Sequence, residues 1–213
     1  MLKRIVVHLL GLLQIAIGIR LMIIASLGLF PLDALVSYLS DVLNVQFWLG
    51  SFVINVIIMS ICVIIKRNWK LSASIINSII FSGMLGLIAY LSANIQINTI
   101  WGEWLIAALG FFLIAIGINF TIYSKLVAAP VELAMLLFDD IFKNLTLSKL
   151  VIEIIFLLAA LGFAISLASY GNIGWFTVIA IVTISPMIHI LNRPITLLLG
   201  GNNSKKEKNY GIK

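Results

Sequence analysis

Long apolar runs without charged residues recur from one end of the chain to the other, and they constrain the fold more than any other feature. A bilayer core is about 30 Å thick, so a helix needs roughly 20 apolar residues to cross it. Six runs have this length: 5–27, 46–65, 71–92, 103–123, 148–169 and 173–191. They take up most of the 213 residues and leave no room for a soluble domain. The sequence therefore predicts an all-α polytopic membrane protein.

Composition agrees with this fold class and excludes others. Apolar residues make up 62% of the chain and charged residues 10%, and the mean hydropathy is +1.17. These values exclude a soluble domain and a disordered chain. The net charge of +6 is explained by positively charged cytoplasmic loops, so we expect no nucleic-acid partner. Lys3 and Arg4 precede the first run, which is longer than the apolar part of a cleaved signal, so we expect a retained first helix.

Two shorter segments, 32–43 and 131–142, each follow a proline, Pro31 or Pro130. Segments of about twelve residues are typical of re-entrant or interfacial helices. If neither segment crosses the membrane, all basic residues except Arg20 face the cytoplasm, as the positive-inside rule requires. We therefore expect six transmembrane helices, two short re-entrant helices entering from opposite faces, and both termini in the cytoplasm.

The two halves of the chain resemble each other. When residue n is laid on residue n + 99, several residues coincide, and Asp33 falls on Glu132; among the identities are Gly11/Gly110, Ile15/Ile114, Gly18/Gly117, Leu27/Leu126 and Pro31/Pro130. After a slip of one residue, 47–55 runs along 145–153. Each copy contains three spans and one short helix, and because three is odd the second copy must be inverted. This architecture is associated with secondary transporters, although channels and scaffolds also carry inverted repeats.

The repeat also divides the chain. The first repeat covers 1–92 and the second covers 103–193, with an outer loop at 93–102 between them. A basic cytoplasmic tail occupies 194–213.

Polar residues within apolar segments are the candidates for function, because an ionised group costs at least about 2.5 kcal/mol there. Six such residues form three pairs in the repeat, and we expect them at a substrate-binding site or translocation path: Arg20/Asn119, Asp33/Glu132 and Asn55/Glu153. If they share one cavity, its acidity favours a cation, an amine or proton coupling. Structural roles stay open: Asp33 and Glu132 sit where they can cap a helix, and Arg20 can pair with Asp33 or reach the headgroups.

The sequence offers no signature of catalysis or of a cofactor. Cys62 is the only cysteine, which excludes an intrachain disulfide and a cysteine metal cluster. No phosphate-binding loop, His-Glu-x-x-His or Gly-x-Ser-x-Gly motif is present. We therefore expect no enzyme activity, no cofactor and no metal. His8 and His189 lie toward helix ends, where interfacial packing is the expected role.

One motif carries a family resemblance. The first half contains Ala25-x-Leu27-Gly28-x-x-Pro31-x-Asp33-x-Leu35, and the segment 171–177 precedes the last helix. With these features the chain resembles the YczE/YitT-type bacterial integral membrane proteins over most of its length. In that family an aromatic residue commonly stands between the proline and the aspartate, and a glycine usually precedes the second-half proline by three; here Leu32 and Val127 take those places. The resemblance implies a bacterial inner-membrane protein and a transporter.

We expect a small secondary transporter or exporter of a small solute, surrounded by membrane lipids. The sequence leaves two alternatives: the substrate-capturing subunit of a vitamin importer, and a non-transporting scaffold or accessory protein. Short, nearly uncharged outer loops count against the first alternative. Glycines spaced by seven residues on the first and fourth spans also leave open a homodimer.

Overall fold

The computed structural model describes residues 2–97, 99–126 and 129–199. Within these ranges the chain forms eight α-helices and no β-strand; the helices are α1 (Leu2–Ala25), α2 (Pro31–Leu43), α3 (Phe47–Lys66), α4 (Ser74–Leu91), α5 (Ile100–Ser124), α6 (Pro130–Phe142), α7 (Leu145–Ser166) and α8 (Trp175–Leu198). A 3-10 turn, Trp69–Ala73, leads into α4. Val127, part of the outer loop (Asn98) and the basic tail beyond residue 199 lie outside the described residues.

The six long helices confirm the predicted spans. Each is long and apolar enough to cross a membrane. The last one, α8, continues seven residues beyond its predicted end at residue 191, although Pro186 and Pro194 lie inside it. Prolines are tolerated in membrane helices because neighbouring groups satisfy the freed carbonyls.

The two short helices are alike in length and in both ends. Each has 13 residues and begins at its proline, which lacks the N–H that the first turn of a helix leaves unbonded. Each is followed by a residue in the left-handed conformation, Asn44 with φ of 52° and Lys143 with φ of 51°. This agrees with the predicted segments to within one residue.

The centre of the bundle is the contact between α1 and α5. Gly11 packs against Gly117, and Gly18 packs against Gly110. Because contacts early in α1 are made late in α5, the two helices run antiparallel. The glycines are buried, and they pack against each other within one chain.

Two more helices run parallel to these. His8 of α1 bonds to Asn77 of α4, and Arg20 of α1 bonds to Ser92, which directly follows α4, so the contacts come in the same order along both helices. Similarly, α5 lies along α8, because its Phe111 contacts Phe176 and its Asn119 bonds to the Ile188 carbonyl. We call the end of the bundle at which α1 begins the N-terminal side and the other end the opposite side.

Helix α3 shows where the short helices end. The last turns of α2 reach Gly50, near the start of α3, where the Ser40 hydroxyl faces the glycine. The last turn of α6 reaches the end of α3, where Lys66 forms an ion pair with Asp140. The short helices therefore end at opposite sides of the bundle. Both also pack against α7.

The glycine contact gives a first prediction. A Cβ on Gly18 would lie 2.5 Å from the Gly110 carbonyl oxygen, so Gly18→Ala must push α1 and α5 apart. We expect it to destabilise the protein by about 1–3 kcal/mol, as overpacked cores do. Thermal unfolding in detergent measures the change.

Gly83→Ala in α4 is the matched control. Nothing lies within 4 Å of a Cβ at that position. Alanine is the better helix former, so the control keeps or slightly raises the melting temperature. A Gly18→Ala protein as stable as the control would contradict the close contact.

Candidate functional site

A cavity of about 350 Å³ lies inside the bundle, where the first turns of α2 and α6 face each other. Leu32 and Asp33 of α2 and Val131 and Glu132 of α6 stand on its wall. Helices α3, α4 and α7 also line it, and α1, α5 and α8 contribute apolar side chains, among them Leu12, Ile19, Ile114, Ile118 and Ile184. The size falls at the lower end of small-molecule pockets, which span roughly 300–1,000 Å³.

Four of the six predicted site residues line this cavity, namely Asp33, Asn55, Glu132 and Glu153. They make up two of the three repeat-related pairs. The third pair, Arg20 and Asn119, does not line it.

Glu132 is held in place by two hydrogen bonds. Its Oε2 accepts from the Ala129 backbone N–H at 3.1 Å, and its Oε1 accepts from the Thr121 hydroxyl at 3.2 Å. The first of these bonds caps the start of α6. Glu132 therefore has the capping role that the sequence analysis left open.

Asp33 occupies the equivalent place in α2 but makes no such bond. The start of α2 has no side-chain cap, and within the described residues the Asp33 carboxyl has no hydrogen-bond or ion-pair partner. The Glu153 side chain is close enough to Asp33 for the two acidic groups to interact electrostatically. Asp33 and Arg20 do not pair, because Arg20 bonds elsewhere.

Glu153, on the same wall, also has an oxygen left unsatisfied by the described residues. Its Oε2 is buried and, within the described ranges, has no hydrogen-bond partner. Lys149 lies one turn earlier on α7, lines the same cavity and interacts electrostatically with both Glu153 and Glu132. A buried carboxylate needs a nearby cation or donor, and the wall holds three acidic groups beside the one Lys149 ammonium.

Lys149 was missed as a site residue by the sequence analysis, which placed it at the start of the span 148–169 and counted it among the basic residues that face the cytoplasm. Its spacing of four residues from Glu153 places both side chains on one face of a helix, and that signal was available. His189 was also missed. It lines the cavity from α8 together with Ser185 and Asn192, and His189 and Asn192 are exposed, so the cavity opens beside this helix.

Arg20 lies outside the cavity, at the C-terminal end of α4. Its Nε donates to the Ser92 hydroxyl at 2.7 Å and its Nη2 to the Ser92 carbonyl at 3.3 Å. The guanidinium thus ties α1 to the C-terminal end of α4, where the helix dipole favours a cation. It also lines a smaller pocket of about 160 Å³ at the opposite side.

Asn119 ties α5 to α8. Its Nδ2 donates to the carbonyls of Ala115 at 2.9 Å and Ile188 at 3.2 Å. Asn55 is similarly bonded, with Nδ2 donating to the Ser51 carbonyl at 2.9 Å, but it stands on the cavity wall.

A group of aromatic rings extends from the cavity wall toward the opposite side of the bundle. Phe30, on the cavity wall, stacks on Phe111 at 5.9 Å between ring centroids, and Phe111 meets Phe176 edge-on at 6.1 Å. Trp104 packs against Phe176 at 6.3 Å. We call these four rings the aromatic plug; they extend from Phe30 on the cavity wall to the first turns of α5 and α8.

Two backbone hydrogen bonds hold the plug in place. The Leu29 N–H donates to the Asn172 carbonyl at 3.0 Å, and the Phe176 N–H donates to the Leu27 carbonyl at 3.3 Å. Gly28 has φ of +115° and packs directly on Gly174, which a side chain at either residue would prevent. The first-half motif and the 171–177 segment of the sequence analysis are therefore in contact.

A polar network ties the helices together on the N-terminal side. The buried His8 ring contacts the Ser124 hydroxyl through Nδ1 and the Asn77 side chain through Nε2, each at 3.0 Å. His8 therefore joins α1 to α4 and α5. It is an internal packing residue, whereas the sequence placed it at the interface.

The geometry gives little support to a metal site. No three His, Cys, Asp or Glu side chains come close enough to hold a metal ion in the described part of the chain. The cavity is a largely apolar compartment with a charged patch. Together with the six apolar helices, it defines the chain as a multi-pass integral membrane protein.

Within that class, the chain belongs to the family of unknown function DUF6198, whose model matches residues 2–193. It is also similar to the uncharacterized protein YyaS of Bacillus subtilis (strain 168), with 25% identity over 182 residues that cover 84% of this chain and 88% of the relative. No solved structure matches it significantly. The comparisons identify DUF6198 and do not identify the YczE/YitT-type family specifically.

The position of Arg20 gives a second prediction. Arg20→Gln removes the bond to the Ser92 hydroxyl and the cation at the end of α4, so we expect a loss of about 1–2 kcal/mol in stability. Solute binding in the main cavity, which Arg20 does not line, should change less than about twofold. Thermal unfolding and ligand titration of the same protein measure both effects.

Ser92→Ala is the matched variant, because it removes the hydroxyl partner and keeps the charge. A smaller loss of stability is expected there. If Arg20→Gln lost most of its binding while its stability stayed unchanged, the result would contradict this structural role and support the original expectation that Arg20 lies on the translocation path.

Proposed function

We propose that the protein is a small secondary transporter or exporter that moves a small solute across the cell (inner) membrane. The observation that carries the proposal is the internal cavity with Asp33, Glu132 and Glu153 on its wall, at the point where both short helices begin. Ionisable groups buried in a membrane protein are costly and typically mark solute or proton pathways. No enzymatic step is part of this proposal.

Symmetry in the α1–α5 contact supports an inverted repeat. In the repeat, Gly11 corresponds to Gly110 and Gly18 corresponds to Gly117. The Gly11–Gly117 contact and the Gly18–Gly110 contact are therefore equivalent, and both are present. Since α1 and α5 are equivalent helices that run antiparallel, the second copy lies upside down relative to the first. The same correspondence relates the packing of α2 on α7 to that of α6 on α3.

The directions of the long helices also support the proposal that the two short helices do not cross the membrane. Helix α4 runs parallel to α1, as six spans require; if α2 crossed, α4 would run the other way. Both short helices start at the cavity, beside Asn55 in the middle of α3, and end near the two ends of α3. In this proposal they are re-entrant helices from opposite faces.

The chain ends support an orientation. Lys3 donates to the Leu199 carbonyl at 2.7 Å, so both ends of the described chain lie on the N-terminal side. Lys66, Arg67 and Lys125 are on the same side. By the positive-inside rule this is the cytoplasmic side.

A difference between the halves suggests how access alternates. Helices α3 and α4 pack closely, whereas their equivalents α7 and α8 touch much less, and the cavity opens beside α8. In this proposal the aromatic plug closes the other side. In an inverted repeat, exchanging the conformations of the two halves gives the opposite access state. We propose that opening α3 from α4 and closing α7 on α8 moves access to the outer side.

Flux across a membrane tests the transport proposal. We expect purified protein in liposomes with a trapped pH dye and labelled solutes to carry at least one class among cationic, anionic and neutral small molecules. Glu153→Gln should reduce that flux by about tenfold or more, because Glu153 lies on the proposed path. Glu103→Gln, in the first turn of α5 and away from the cavity, is the matched control.

Absence of flux for all three classes would contradict transport. If the protein then co-purified with another membrane complex, the scaffold alternative would replace it.

Cysteine labelling in intact cells tests the topology. Single cysteines replace Val42 and Ile141, which are equivalent exposed positions in the last turns of α2 and α6, in a Cys62→Ala background. An impermeant maleimide should label Val42→Cys from outside, and Ile141→Cys only after permeabilisation. Gln96→Cys and Trp69→Cys serve as outer and inner references. Labelling of Trp69→Cys from outside would mean that the short helices cross.

A further inference from the structure

The cavity wall combines a large apolar surface with one concentrated charged patch. The apolar part comes from α1, α5 and α8, including Ile15, Ile118 and Ile188. The charged patch consists of Asp33, Glu153, Glu132 and Lys149, from α2, α6 and α7. A ligand that fits this wall needs an apolar body and a charge at one end.

The three carboxyl groups on the wall differ in how many hydrogen bonds they already make within the protein. Both oxygens of Glu132 already accept hydrogen bonds within the protein. Oε2 of Glu153 is buried with no hydrogen-bond partner in the described part of the chain, and the Asp33 carboxyl likewise makes no hydrogen bond there. A buried, unpaired acceptor of this kind gains most from a cation or a donor placed next to it.

Metal cations fit the wall poorly. Ca²⁺ and Mg²⁺ are bound by about six or more closely arranged oxygens. Within the residues that the structure describes, no group of three acidic, histidine or cysteine side chains converges closely enough to hold a metal ion. An organic cation needs only one or two carboxylates, and apolar side chains suit its body.

We propose that the cavity binds a monovalent organic cation with an apolar body, such as an aromatic amine, with its charge between Glu153 and Asp33. This rests on the proposed transport function and adds its substrate class. Lys149 is the internal competitor of that cation: one turn from Glu153, it supplies the positive charge on the wall when no ligand is bound. Binding of the ligand then requires the cation to compete with the Lys149 ammonium for Glu153.

Benzyltrimethylammonium is a suitable probe, because its charge is permanent and its body is aromatic. Benzyl alcohol and benzenesulfonate are the neutral and anionic controls. A ligand that binds only the folded state raises the melting temperature in proportion to its affinity and concentration, so thermal unfolding of the purified full chain yields apparent dissociation constants.

We expect the wild-type protein to be stabilised by benzyltrimethylammonium and much less by the two controls. Glu153→Gln should weaken its binding by about tenfold or more, which corresponds to about 1.4 kcal/mol. Asp33→Asn should weaken it as well, whereas Asp41→Asn, an exposed acid on the same helix, should leave it unchanged.

Lys149→Met provides a test that misfolding cannot imitate, because the expected change is a gain. Removing the competing ammonium should tighten binding of the cation several-fold. Equal or tighter binding of benzenesulfonate, or unchanged cation affinity in both Glu153→Gln and Lys149→Met, would overturn the proposal.

The liposome assay separates this proposal from transport itself. Cation binding without any flux would overturn transport and leave the ligand class standing. Flux of an anionic or neutral solute without cation binding would support transport and overturn the ligand class.

Discussion

The close contact between α1 and α5 is the constraint on which the rest of the bundle depends. Two pairs of glycines let these backbones touch at Gly11–Gly117 and Gly18–Gly110, and van der Waals packing of this kind is a main source of helix association in lipid. With α1 and α5 joined, α4 and α8 pack along their flanks. The short helices then have to fill the space beside this pair, and the cavity is what remains between their first turns.

Much of this arrangement could be predicted from the sequence. Hydropathy located all six long helices, and Pro31 and Pro130 marked the starts of the short ones to the residue. The repeat aligned Asp33 with Glu132 and Asn55 with Glu153, and all four lie on one cavity. The alignment gives a residue's place along a helix, but not the direction in which its side chain points. That is why Arg20 and Asn119, an equally regular pair, were expected at the site and instead bond to neighbouring helices. It is also why Lys149, at the start of the span 148–169, was counted only among the residues that face the cytoplasm.

The polar residues of the bundle have two different uses. His8, Arg20 and Asn119 each bond to a second helix and fix the position of one helix relative to another. Glu153 and Asp33 make no hydrogen bond in the described part of the chain and face the cavity. Burial alone does not separate these groups, because both are costly to place in an apolar environment. The two groups differ in whether the side chain has a hydrogen-bond partner within the protein.

Glu132 and Asp33 occupy the same position in the two halves, yet one is bonded at both oxygens and the other at neither. Two conformations related by exchanging the halves have equal free energy only while the halves are identical. Each difference that follows a duplication therefore shifts the population toward one of them. A bonded Glu132 keeps the start of α6 in place, whereas α2 lacks such a bond, so in the proposed transport cycle the two short helices are held with unequal strength. In that proposed cycle the difference favours one of the two conformations, because one acidic side chain is hydrogen-bonded and, among the described residues, its equivalent in the other half is not.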